Sequence, residues 1–74
     1  MKLYEPYAVV QDGGREREQW TYGSCPTMEK ALKCINTWNE MFWVKSAYIK
    51  ETDPDNSMYE KIYIVSFGKV EERR

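Results

Sequence analysis

The sequence predicts an α+β domain of order ββαββ, one amphipathic helix packed on a four-stranded antiparallel sheet. Three observations carry this. From Met28 onward, Ala31, Leu32, Ile35, Trp38, Met41 and Phe42 recur every three or four positions, the spacing of one helix face. Two runs rich in aromatic and β-branched residues precede that stripe and two follow it, as strands would. Turn-forming residues separate the members of each pair, Asp12-Gly13-Gly14-Arg15 in one and Thr52-Asp53-Pro54-Asp55-Asn56-Ser57 in the other.

The first strand is Tyr7–Gln11, and Asp-Gly with Gly-Gly supplies the positive φ that a tight hairpin demands. The return strand, about Glu16 to Tyr22, alternates: Glu18, Trp20 and Tyr22 share one side, Gln19 and Thr21 the other. Trp20 and Tyr22 are expected to face the core. Gly23-Ser24-Cys25-Pro26 then breaks the strand, and Thr27 caps the helix by accepting a free N–H of its first turn. Glu29 suits the positive end of the helix dipole, and the helix runs to Phe42 with Lys30, Lys33, Asn36, Asn39 and Glu40 on its polar side. Trp43–Glu51 reads as the third strand and Tyr59–Phe67 as the fourth. In the fourth, Ile62 and Ile64 alternate with Tyr63, Val65 and Phe67. Apolar residues on both parities imply a strand covered on two sides, or one whose outer face meets a partner. Gly68 ends it, and residues 69–74 are expected to form a charged, frayed tail.

A helix between the second and third strands makes those two run the same way. The first is antiparallel to both and fits between them, giving the order 2-1-3-4 with the second and fourth strands at the edges. One face carries the helix, and the other is bare unless something binds there. Seventy-four residues make one domain, 1–74 with its core in about 4–68, and a chain of this size buries only about 60% of its unfolded surface.

Composition excludes several classes of function. Eleven basic and twelve acidic residues leave a net charge of −1, neither the basic excess of a nucleic-acid module nor the strong negative charge of a DNA mimic. There is no His, so the commonest general base and the Ser-His and Cys-His nucleophile pairs are missing. Glu16 and Glu18 share a strand face as an acid/base pair would, but a solvated hairpin arm accounts for them. Cys25 and Cys34 cannot complete a structural zinc site without two more ligands, and they are expected to be free, small apolar groups. Asp53-x-Asp55-x-Ser57-x-x-Glu60 superficially resembles the start of a calcium loop, yet it has Pro54 in second place and no Gly at the sharp turn. Gly23–Thr27 leads into a helix and could hold one anion, although a plain capping loop explains it. The expectation is therefore no enzyme, no metal and no cofactor. The first residues hold no apolar segment of signal-peptide length, and no apolar run approaches the ~18 residues of a membrane span. The chain reads as a short cytoplasmic protein, complete as it stands.

Three Trp, six Tyr and two Phe are more large rings than one small core uses. Trp20, Trp38, Phe42, Ile62 and Ile64 are expected to fill the space under the helix. Tyr7, Val44, Tyr48, Tyr63, Val65 and Phe67 are then candidates for the bare face, beside Lys45, Lys50 and Lys61. A small domain that is merely aromatic-rich is the plain alternative. Tyr and Trp anchor protein contacts, and the near-neutral charge favours a protein partner. Expected partner-binding residues are Lys45, Tyr48, Lys50, Tyr63 and Phe67. Two other functions stay open: single-stranded nucleic acid stacked on the aromatic face, or a homodimer enclosing a small ligand such as a nucleotide signal. The apolar edge strand Lys61–Phe67 invites pairing with a second copy or with a partner's sheet.

Tyr7–Gln11, the Asp12-Gly13-Gly14 hairpin, Trp20 and the helix Thr27–Phe42 together resemble the layout of short phage and prophage anti-defence proteins, of which anti-CRISPR proteins are the best known. The resemblance spans about sixty residues, rests on layout and carries no residue's role over. It implies a stoichiometric inhibitor or modulator of a host protein, working in the host cytoplasm. The balanced charge departs from the strongly acidic members of that class.

Overall fold

The computed structural model describes residues 1–20, 23–41, 44–66 and 69–73. In chain order these form β1 (Leu3–Asp12), β2 (Arg15–Trp20), α1 (Met28–Met41), β3 (Val44–Asp53), β4 (Asn56–Ser66) and β5 (Lys69–Arg73). The strands make one antiparallel five-stranded sheet in the order β2-β1-β3-β4-β5.

Local chemistry sets each connection. Asp12 pairs with Arg15 across the first hairpin, and Gly13 and Gly14 take φ of 57° and 85°. A Cβ at either glycine would meet nothing, so backbone conformation rather than crowding calls for glycine. In the second hairpin Asp53 Oδ1 accepts the Asp55 N–H at 2.9 Å, and Asn56 Oδ1 accepts the Met58 N–H at 3.2 Å, the local bonds for which Asp and Asn favour turns. The Asp53 carboxyl lies below its ordinary pKa, chiefly through the Asp55 N–H and then the Lys2 ammonium, so turn chemistry accounts for the acidic segment. At the helix start, Thr27 Oγ1 accepts the Lys30 N–H at 3.2 Å, the expected cap. Just before it, Cys25 and Tyr4 exchange backbone hydrogen bonds of 2.7 and 2.8 Å. These tie the loop to β1.

The helix lies over β1 and β3. Ala8, Val10, Ala47, Ile49 and Val65 of the sheet, Ala31 and Ile35 of the helix, and Cys25 are all buried. Three of these are alanines, which keep the layers close.

Four expectations change. The C-terminal segment is not a frayed tail: Lys69–Arg73 pairs with β4, setting Val70 beside Val65 and Glu72 beside Tyr63. Consequently β4 is an interior strand and β5 the edge, which removes Lys61–Phe67 as a free edge for a second copy. The parity of β4 is also reversed. Ala47 pairs with Val65 and Ile49 with Tyr63, so Val65 and Tyr63 lie on the helix side while Ile62 and Ile64 lie on the other. Val44 likewise packs against the core. Finally, the Cα of Trp20 is registered against that of Tyr7, a position of the open face rather than of the helix side. A one-residue change of parity moves a whole apolar set across a sheet, and with both parities of β4 apolar, alternation could not choose between them. Tyr22, Phe42, Trp43, Phe67 and Gly68 lie outside the described residues.

Candidate functional site

The sheet face opposite the helix is organised around β1 and β3. Tyr7 and Tyr48 are directly opposed in the ladder, and their rings stack at 4.9 Å between centroids with 10° between planes. Such a pair contributes about 0.5–1.5 kcal/mol beyond the area it buries. The Tyr48 hydroxyl donates to Glu18 Oε1 at 2.6 Å, so β2 holds the outer end of the ring. Burial first, and then this bond to a carboxylate, raise the Tyr48 pKa. Both effects disfavour the phenolate.

Lys50 of β3 lies opposite Glu5 of β1 on one side and Ile62 of β4 on the other. Its ammonium stands 5.5 Å over the Tyr7 ring, within reach of a cation–π attraction. Lys45 falls where the register slips, since Val9 pairs with Ser46 while Val10 pairs with Val44. That extra residue forms a bulge, and the Lys45 ammonium ion-pairs with Glu16. Toward β4 the face opens into a groove of about 350 Å³ lined by Glu18, Tyr48, Lys50, Glu60, Ile62 and Ile64.

Of the five residues expected to bind a partner, Tyr48, Lys50 and Lys45 therefore belong to the open face. Phe67 lies outside the described residues. Tyr63 does not belong there: it packs half-buried against the core on the helix side, and its hydroxyl donates to Glu51 Oε1 at 3.2 Å. Glu51 is only 7% exposed. Its other oxygen accepts the Tyr59 hydroxyl, and Tyr4 lies near enough to feel the carboxylate's charge. Two phenols, one on each oxygen, thus satisfy one buried carboxylate, as burial of such a group demands. Bonding to Glu51 pushes the Tyr59 pKa up to about 12, while burial is the leading cause of the rise at Tyr4 and Tyr63.

Sequence reasoning missed the lining role of Glu18, Glu60, Ile62 and Ile64. For Glu18 a signal exists in strand alternation, which sets it two residues from Trp20 on the same parity. For the isoleucines only the pairing register reveals the face.

Chemically, this arrangement offers stacking, apolar contact and carboxylates. Among the described residues no group of three or more His, Cys, Asp or Glu side chains is placed to hold a metal ion. Cys25 and Cys34 are free thiols. Burial first, and then the neighbouring Cys34, raise the Cys25 pKa, which keeps Cys25 in its unreactive form. A smaller cavity of about 160 Å³ between the end of the helix and β3 is lined by Asn36, Asn39, Ser46 and Ser66, with Lys45 its one charged group among the described residues. Among the described residues no helix is long and apolar enough to cross a membrane. Comparison with known proteins finds no matching family model, no matching curated protein and no matching solved structure.

Proposed function

We propose that this chain is a non-enzymatic binding protein that docks a protein partner on the sheet face opposite its helix, and that docking inhibits or modulates a host protein. The observation that carries this reading is the Tyr7–Tyr48 stack, pinned by Glu18 and bordered by a groove with Ile62 and Ile64 in its wall. Rings already ordered in the free protein lose little freedom on binding, which is why rigid Tyr and Trp anchors dominate protein interfaces.

A homodimer built through β2 is disfavoured on charge. A two-fold axis normal to the sheet pairs residues of equal parity, so centred on Glu16 or on Arg17 it sets Arg opposite Arg and Glu opposite Glu. Like charges directly opposed across strands are destabilising.

The test is affinity capture from host lysate with wild-type chain, Tyr48→Ala and Tyr63→Ala, each first checked for folding by circular dichroism. A partner that binds wild type and is lost with folded Tyr48→Ala supports the reading. A partner retained by Tyr48→Ala contradicts it.

A further inference from the structure

The open face is locally acidic although the chain is nearly neutral. Beyond burial, which is the largest effect, Tyr7 feels the carboxylates of Glu5, Glu18 and Glu60 against the single ammonium of Lys50. Glu16 and Lys45 cancel each other as an ion pair. Among the described residues, three carboxylates thus act on the stack against one ammonium. Glu60 is exposed and makes no hydrogen bond or ion pair with the described residues, and it shares the groove with Glu18. The face already takes one cation from its own chain, the Lys50 ammonium over Tyr7, and Ile62 and Ile64 supply an apolar wall beside it.

From this charge and shape we infer that the partner presents an arginine- or lysine-bearing segment, whose cation settles between Glu18 and Glu60 with its aliphatic stem along Ile62 and Ile64. This rests on the reading of the face as a protein-docking surface and adds the chemistry of the guest. Arginine fits best, because its planar guanidinium both stacks on tyrosine and meets carboxylates edge-on, while its stem covers apolar surface. A nucleic-acid backbone has the opposite fit: its phosphates would face Glu5, Glu18 and Glu60, where binding normally depends on neutralisation by Lys and Arg.

The experiment titrates a hexa-arginine peptide, a hexaglutamate peptide and an oligothymidine into the full chain, followed by amide chemical shifts. Hexa-arginine is expected to move Tyr48, Ile62 and Ile64, and Glu60→Lys is expected to weaken it about tenfold, the scale of a lost charge contact. Raising ionic strength from about 0.01 to about 0.15 M shortens the screening length from about 30 to about 8 Å and should weaken it further. Three results overturn the inference: no hexa-arginine shifts on those residues, affinity unchanged in Glu60→Lys, or tighter binding of either anionic probe. Failure here, with a captured partner still lost in Tyr48→Ala, removes the cationic guest and leaves the docking face. Retention of the partner in Tyr48→Ala removes the face itself.

Discussion

Tyr48 lies flat against Tyr7, with 4.9 Å between ring centroids and 10° between their planes. The contact joins neighbouring strands at a directly opposed position, so it forms with the sheet and needs no partner. Its outer end is held by Glu18. A structural role and a binding role therefore coexist in Tyr48, and substitution separates them. Tyr48→Phe keeps the stack and loses only an exposed hydrogen bond, and should lower stability by no more than about 1 kcal/mol. Tyr48→Ala should cost about 0.5–1.5 kcal/mol more than loss of its area alone. Urea unfolding of the two variants measures both.

The buried carboxylate behaves differently. Glu51→Ala would leave the Tyr59 and Tyr63 hydroxyls without their common acceptor. Both rings are half-buried, so water replaces part of each lost bond and the loss should be about 1 kcal/mol. Glu51→Gln keeps one acceptor oxygen and should cost less. Denaturant midpoints for the pair should rank wild type, Gln, Ala.

The tyrosines of both sheet faces predict alkaline sensitivity. Tyr4, Tyr7, Tyr48, Tyr59 and Tyr63 all have folded pKa values above the ordinary tyrosine value of 10.0. The fold thus favours the protonated phenol. Its contribution is fully present below pH 10 and is lost as pH rises through the folded values, about 12 for Tyr59. Urea midpoints should fall over that range, and Tyr59→Phe should fall less steeply, with tyrosinate absorbance marking the titration. At the acid end the Asp53 pKa is lowered, so its contribution is present above the ordinary carboxylate range and fades as pH drops through the folded value.

Register is tested by neighbours on one strand. Val65 is 8% exposed and packs in the core, whereas Ile64 faces the groove. Val65→Asp places an unpaired charge in the core and should abolish cooperative unfolding. Ile64→Asp should leave a folded chain with a two-state transition. The reverse outcome would return β4 to the opposite parity.

These neighbours also show how far the sequence was legible. Thr27 with its stripe of Ala31, Ile35 and Trp38, and Gly13-Gly14 between alternating runs, are local signals, and local structure followed them. The order of the first four strands came from connectivity. The reversed face of β4 came from its two apolar parities, which only pairing with Ala47 and Ile49 distinguishes. β5 was hidden because Lys69-Val70-Glu71-Glu72 carries the composition of a solvated tail, and its ladder to β4 is a tertiary effect. The core rests on Ala8, Ala31 and Ala47, residues without the bulk that draws attention to Trp or Ile. At the site, Tyr48 and Lys50 share a strand parity, while Lys45, of the other parity, reaches Glu16 only through the bulge, and Glu60 and Ile64 entered only through the ladder.

Removal of β5 gives a further check. A chain ending at residue 68 would expose the β4 edge and uncover Val65, beside which Val70 lies. Lower thermal stability and concentration-dependent association are expected, since an unpaired apolar edge recruits other strands. Sedimentation velocity of the full and shortened chains measures the association.

The most direct test of docking on the open face is cross-saturation transfer from a captured partner to methyl-labelled chain. Docking there requires signal loss at the Ile62 and Ile64 methyls, with Met41 of the helix unaffected. Loss at Met41 and Leu32, with Ile62 and Ile64 unchanged, would place the partner on the helix and contradict it.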